Sequence, residues 1–158
     1  MGKLSDYYYE KHEEITDLEF ELIRMIEKDE MEKSGEKLKK LKEMFKKHFS
    51  FEESFLFPMV EDKTKNKIML YLEKEHAKIL KKANELEEEI SKENINPKEA
   101  LKKSSKLQAS HNTHINLENE YFHPFLNGVD NEKAEKIIKQ SKKEDFSDYK
   151  PPKISNVK

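Results

Sequence analysis

Cysteine is absent from this chain. That excludes disulfides, thiolate catalysis and sulfur-ligated metal centres together, so any bound metal must be held by nitrogen and oxygen. Tryptophan is also absent and glycine occurs only 3 times, while 41% of residues are charged. A balance so rich in Lys, Glu and Leu favours long solvated helices over sheet. Neither sign of charge dominates. The 31 basic and 33 acidic residues are interspersed, leaving no basic face for nucleic acid and no polybasic membrane patch. No stretch approaches the roughly 18 apolar residues of a membrane span. The first residues, Met1-Gly2-Lys3-Leu4-Ser5-Asp6, carry no apolar leader region. A cytoplasmic protein is expected, and 158 residues suit one domain with a substantial core.

What the chain does contain, it contains twice. His48-Phe49-Ser50-Phe51-Glu52, followed by Phe55, Phe57 and Pro58, returns 66 residues later as His114-Ile115-Asn116-Leu117-Glu118, followed by Tyr121, Phe122 and Pro124. Each copy is preceded by a lone histidine in similar company, Glu10-Lys11-His12-Glu13 in the first half and Lys74-Glu75-His76-Ala77 in the second. The unit is His…His-x-x-x-Glu, duplicated. Four imidazoles and two carboxylates, supplied in equal halves, suit a binuclear metal site.

A ligand inside a helical bundle must lie on the same stripe as the apolar residues. Four such stripes can be traced at alternating steps of three and four: Tyr8, His12, Ile15, Glu19, Leu22, Ile26; Leu38, Leu41, Phe45, His48, Glu52, Phe55, Met59; Leu72, His76, Ile79, Ala83, Leu86, Ile90; and Leu107, His111, His114, Glu118, Tyr121, Phe125. Local signals divide them. Ser34-Gly35 separates the first from the second, Pro58 with the polar run Glu61-Asp62-Lys63-Thr64 ends the second, Asn94 to Pro97 precedes the fourth, and Asn127-Gly128 closes it. Helices are expected over about 5–31, 35–60, 65–92 and 98–126. Short connections make neighbours antiparallel, giving an all-α, up-down-up-down four-helix bundle over residues 1–128. His48 and His76 lie about 14 residues on either side of the second turn and should share a level at a rise of about 1.5 Å per residue; the same count brings in His12 and His114.

A single histidine on an apolar stripe is ordinarily a hydrogen-bonded core residue. Four at one depth, with two carboxylates whose burial would cost several kcal/mol each if uncompensated and no lysine on the stripes, point instead to cations. His12, His48, Glu52, His76, His114 and Glu118 are the expected metal ligands. His111 replaces the Phe45 of the first half and reads as a core or supporting histidine, with an extra ligand as the alternative. Glu19 reads as a partly solvated edge position, or as a group supporting the site or lining a channel to it. Tyr121 reads as a core aromatic able to hydrogen-bond Glu118. His123 falls off the stripe and is expected at the surface, while Phe45, Phe49, Phe51, Phe55, Phe57 and Phe122 should pack around the metals and keep bulk water out.

These residues resemble the hemerythrin-like family, the HHE cation-binding domain, over about residues 5–126. The resemblance implies a four-helix bundle holding two iron ions in a non-haem, carboxylate-bridged centre, with Glu52 and Glu118 as bridges and His12, His48, His76 and His114 as terminal ligands. Mixed nitrogen and oxygen ligation also suits manganese or zinc. Oxygen-carrying members have a His-x-x-x-His pair on the third helix and an aspartate as the last bridge, whereas here Leu72 and Leu80 flank His76 and the last carboxylate is Glu118. Each metal would then keep an open position. The family implies binding of dioxygen or a related small oxidant, for oxygen binding, sensing or storage. The alternatives are a peroxidase, a nitric oxide-handling protein, or an iron-handling, repair or sensing protein. The expected partners are small ligands such as dioxygen, peroxide or nitric oxide, and the chain should be a monomer or weak oligomer. Residues 129–158 are expected to add a short amphipathic helix, from Asp130 to Ser141 through Ala134, Ile137 and Ile138, and then a mobile, extended tail from Asp145.

Overall fold

A computed structural model describes residues 2–59, 63–144 and 148–150. Its helices are α1 (Lys3–Glu27), α2 (Met31–Phe51), α3 (Lys63–Ile90), α4 (Pro97–Asn127) and α5 (Asn131–Lys143), with no strand among the described residues. Helix α1 packs on α2 and α4, and α3 packs on the same two, closing a ring of four antiparallel helices; α5 lies against α1. Among the described residues no helix is long and apolar enough to cross a membrane.

The first turn lies earlier than the glycine signal suggested. The chain reverses at Lys28–Glu30, and Ser34 and Gly35 sit inside α2. Asp29 takes a left-handed conformation, φ 60°, while Asp29 N–H donates to Ile26 O and Glu30 N–H donates to Met25 O. That pairing is a Schellman cap, with aspartate at the position glycine usually fills. Gly35 costs α2 only about 1 kcal/mol relative to alanine, which packing of the stripe readily offsets. Helix α4 starts as its sequence indicates, with Asn96 Oδ1 accepting from the backbone of Lys98 and Glu99 and Pro97 in the first turn.

Beyond Phe51 the second helix widens into a π turn over Glu52–Leu56 and then tightens into a 3-10 turn over Phe57–Met59. The wider turn advances the register by one residue. Leu56 and Phe57 are therefore buried, whereas Phe55 and Met59, expected on the stripe, are half-buried. In α4 the stripe runs from Glu118 to Phe122 and Leu126 in steps of four, displacing Tyr121 to the surface at 37% exposure. The expected polar run at Glu61-Asp62 lies outside the described residues, as does most of the tail beyond Glu144.

Two apolar clusters make the core. One contains Ile15, Leu22, Leu41, Phe45, Phe49, Ile79, Leu86 and Leu107; the other contains Leu4, Tyr8, Phe51, Leu56, Phe57, Leu72, Phe122, Leu126 and Ala134. His12 in α1, His76 in α3 and His114 and Glu118 in α4 fall between the two, and His48 and Glu52 lie where α2 passes from one to the other. Helix α5 is capped by Asp130, whose Oδ1 accepts from Lys133 N–H at 2.9 Å, and it buries Ala134 and Ser141. Asn127 Oδ1 accepts from Gly2 N–H at 2.8 Å, tying the start of α1 to the end of α4.

Replacing Asp29 by glycine removes the left-handed penalty while keeping the cap. Urea denaturation should show a stabilisation of about 0.5–1 kcal/mol; a loss of stability would mean that the Asp29 side chain contributes more than its backbone costs.

Candidate metal centre

Six donors meet in the layer between the clusters. His12 comes from α1, His48 and Glu52 from α2 and its π turn, His76 from α3, and His114 and Glu118 from α4. None is more than 4% exposed. The imidazoles pair off, His12 with His48 at 4.7 Å between ring centroids and His76 with His114 at 4.8 Å. Each carboxylate reaches one member of each pair. Glu52 Oε1 lies 2.9 Å from His48 Nε2 and 3.6 Å from His76 Nε2, and Glu118 Oε1 lies 3.4 Å from His12 Nε2 and 3.2 Å from His114 Nε2. Because His12 meets Glu118 and His76 meets Glu52, neither half of the duplication completes its own set.

These approaches are close but are not hydrogen bonds. All four Nε2 atoms, with Glu52 Oε1 and both oxygens of Glu118, are buried without a hydrogen-bonding partner. Orphaned donors and acceptors this numerous are costly in a packed core. A metal removes the cost. Ligands about 2.1 Å from one centre stand about 3 Å apart when adjacent and about 4.2 Å when opposite, and the nitrogen–oxygen separations fall in that range. Two convergent groups result: Glu52, His76, His114 and Glu118 in one, and His12, His48 and Glu118 in the other, with donor atoms in each within 4.8 Å of one another. The residues present therefore fit a metal centre.

The surrounding side chains fix the donors. Tyr8 Oη donates to Glu52 Oε2 at 3.0 Å, which leaves Oε1 facing the imidazoles. His76 Nδ1 lies 2.6 Å from Glu53 Oε2, and His114 Nδ1 lies 2.9 Å from Glu75 Oε1. A carboxylate at Nδ1 holds the proton there and frees the Nε2 lone pair. Tyr149 Oη donates to the same Glu53 oxygen at 2.5 Å. Phe49 stacks on His76 with ring centroids 4.0 Å apart.

Glu53, Glu75 and Tyr149 escape a search confined to the apolar stripes. Glu53 follows a stripe carboxylate and Glu75 precedes a stripe histidine, so each points about 100° away, along the flank of its helix. Their adjacency to Glu52 and His76 is the one sequence signal for them. Glu19, expected partly solvated, is buried and hydrogen-bonded to His111 Nδ1, and His111 belongs to neither convergent group. Tyr121 does not fill the core position beside Glu118; Tyr8 supplies the hydroxyl of this layer. His123 is half-buried, its Nδ1 lying 3.1 Å from Ser5 Oγ.

In the chain without metal, burial pushes the His111 and His114 imidazoles down to about 3. His48 and His76 are also held well below the usual histidine range, by burial first and by neighbouring imidazoles second. Such rings are neutral at physiological pH and ready to donate a lone pair. Burial raises Glu19 to about 9; the Glu19–His111 pair is thus neutral, its carboxylic acid donating to Nδ1.

A pH dependence follows for the metal-free chain. The unfolded chain protonates His111 and His114 near 6.5 and the folded chain resists until about 3, so their contribution to stability is full above 6.5 and is lost as the pH falls through that window. Glu19 acts in the opposite sense, its contribution eroding as the pH rises from 4.5 to about 9. Urea midpoints measured between pH 4 and 9 after chelation should peak near neutrality and fall more steeply on the acid side; a midpoint still rising at pH 4 would contradict neutral burial of the imidazoles.

Comparison with known proteins agrees with this geometry. The family model for the hemerythrin HHE cation binding domain matches residues 3–126, a span that contains all six donors. No curated protein and no solved structure matches the chain. With four-fifths of its length under that match, a four-helix bundle around it and the histidine–glutamate layer at its centre, the chain belongs to the hemerythrin HHE cation-binding domain family.

Proposed function

We propose that this protein is a non-haem di-iron protein that binds dioxygen or a related small oxidant in the buried histidine–glutamate layer. The observation that carries the reading is the position of each carboxylate between two imidazole pairs, with Glu52 Oε1 near His48 and His76 and Glu118 Oε1 near His12 and His114. Glu52 and Glu118 would bridge two metals, one held by His12 and His48 and the other by His76 and His114. Nitrogen and oxygen ligation is compatible with iron, manganese and zinc; the choice of iron rests on the family. Bound iron would supply the electrons that reduce the oxidant.

The chain's own residues set the conditions for that chemistry. Tyr8 holds Glu52 by one oxygen, and Phe45 and Phe49, both fully buried, exclude bulk water from one side of the layer. A pocket of about 380 Å³ between α1, α2 and the end of α5 reaches His48. Its lining sets Ile15, Met44 and Phe51 beside Lys11, Glu14, Lys47 and Lys142, an approach with an apolar wall and a charged rim that a small molecule could follow. A second reading, peroxide or nitric oxide handling, is favoured by the third helix. Leu72 and Leu80, the positions one turn either side of His76, are buried leucines, and His111 lies outside both convergent donor groups. No fifth imidazole then closes the centre, and an open position on both metals favours turnover over storage.

Iron-loaded protein reduced without air should contain about two irons per chain. A visible band that appears on exposure to air and disappears under argon would support oxygen binding. Oxidation with no reversible band would transfer the assignment to peroxide or nitric oxide chemistry, to be followed by turnover assays. The His48→Ala and Glu118→Ala variants should each hold fewer than two metals, and retention of two in either would refute the ligand assignment.

A further inference from the structure

The duplication makes the ligand set symmetrical, but the surroundings of the two imidazole pairs are not. His76 and His114 each have a carboxylate at Nδ1, from Glu53 at 2.6 Å and Glu75 at 2.9 Å. His12 and His48 have none; their Nδ1 atoms are buried without a partner among the described residues. The carboxylates do not make this difference, since Glu52 Oε1 lies 2.9 Å from His48 Nε2 and 3.6 Å from His76 Nε2. Access is unequal as well. Of the six donors, His48 lines a surface pocket, beside Lys11, Lys47 and Lys142, while His76 and His114 are fully buried.

We infer that the two metal positions are unequal in affinity and order: the position at His76 and His114 fills first and is retained, and the position at His12 and His48 fills last and exchanges first. The inference rests on the dinuclear reading above. Its physical basis is the carboxylate behind the imidazole. A ring whose Nδ1–H donates to a carboxylate is held in one tautomer and one orientation, and its Nε2 becomes a stronger donor; removing such a partner typically costs tenfold to a hundredfold in metal affinity. Two partnered rings face one position, and two unpartnered rings face the other. Glu53 and Glu75 are thus positioning residues, acting through His76 and His114. Tyr149 extends the support by holding Glu53 through a further hydrogen bond.

The test is an anaerobic titration of the full-length chain, stripped of metal, with cobalt(II), following visible absorption and metal content by equilibrium dialysis. Two steps separated by at least about tenfold are expected, and a chelator pulse on the loaded protein should remove one equivalent well before the other. His48→Ala should keep the tight equivalent and lose the weak one, whereas His114→Ala should lose the tight one. Glu75→Gln and Glu53→Gln, which keep an acceptor but remove its charge, should weaken the first step and leave the second, with alanine at either position weakening it further. Glu75 lies at the edge of the layer, with its side chain 15% exposed, so its substitution tests the inference even if a histidine variant fails to fold. Two equivalents bound in one unresolved step, equal losses in His48→Ala and His114→Ala, or an unchanged first step in Glu75→Gln and Glu53→Gln would overturn the ordering while leaving the dinuclear reading intact. Saturation of the wild-type chain at one equivalent or fewer would overturn that reading itself.

Discussion

Glu52 and Glu118 are fully buried, and their only ion-pairing neighbours among the described residues are histidines. Burial holds His48, His76 and His114 neutral in the metal-free chain, so these rings cannot serve as counter-ions. Removing carboxylates from water without compensation costs several kcal/mol apiece, a large part of the roughly 5–15 kcal/mol that typically stabilises a domain. A divalent cation at the convergence of the Nε2 and Oε1 atoms would turn that burden into a binding site. The rest of the bundle is the scaffold that keeps these atoms together and dry.

That scaffold has a consistent logic. Apolar clusters above and below the layer supply the burial that holds four helices in register. The π turn at Glu52–Leu56 begins at one of the six candidate donors, as such turns often do at functional sites, and it rotates Leu56 and Phe57 into the core in place of Phe55. The crossed arrangement, in which His12 meets Glu118 and His76 meets Glu52, means that the centre forms only when both helical hairpins pack. Binding of a metal in this layer would therefore be linked to folding of the bundle.

Symmetry of sequence does not extend to symmetry of environment. The two His-x-x-x-Glu segments are equivalent in spacing, yet Glu53 from the first half supports His76 of the second, and Glu75 supports His114 within the second. Among the described residues no carboxylate does the same for His12 or His48. Helix α5 and Tyr149 add to the imbalance, because a single C-terminal extension lies beside a doubled bundle: Ser141 and Lys142 border the pocket on His48, and Tyr149 reaches Glu53.

The sequence by itself determined the helical class and set six candidate donors at one depth on its apolar stripes. Period and spacing are local properties, and burying histidines and glutamates at one depth across four stripes is too costly to persist unless a cation compensates them. The turn between α1 and α2 was less legible, because an aspartate in a left-handed cap outcompeted the expected break at Ser34-Gly35. The exchange of Phe55 for Leu56 was likewise hidden, because the π turn adds a residue to the register, and so was that of Tyr121 for Phe122, because two successive steps of four from Glu118 depart from a fixed three-and-four pattern. Only the tertiary structure decided which donor faces which. The crossing of the halves, the Tyr8 contact to Glu52, the pairing of Glu19 with His111 and the carboxylates behind His76 and His114 all join residues on different helices, and their geometry is set by how the helices pack rather than by any spacing along one of them.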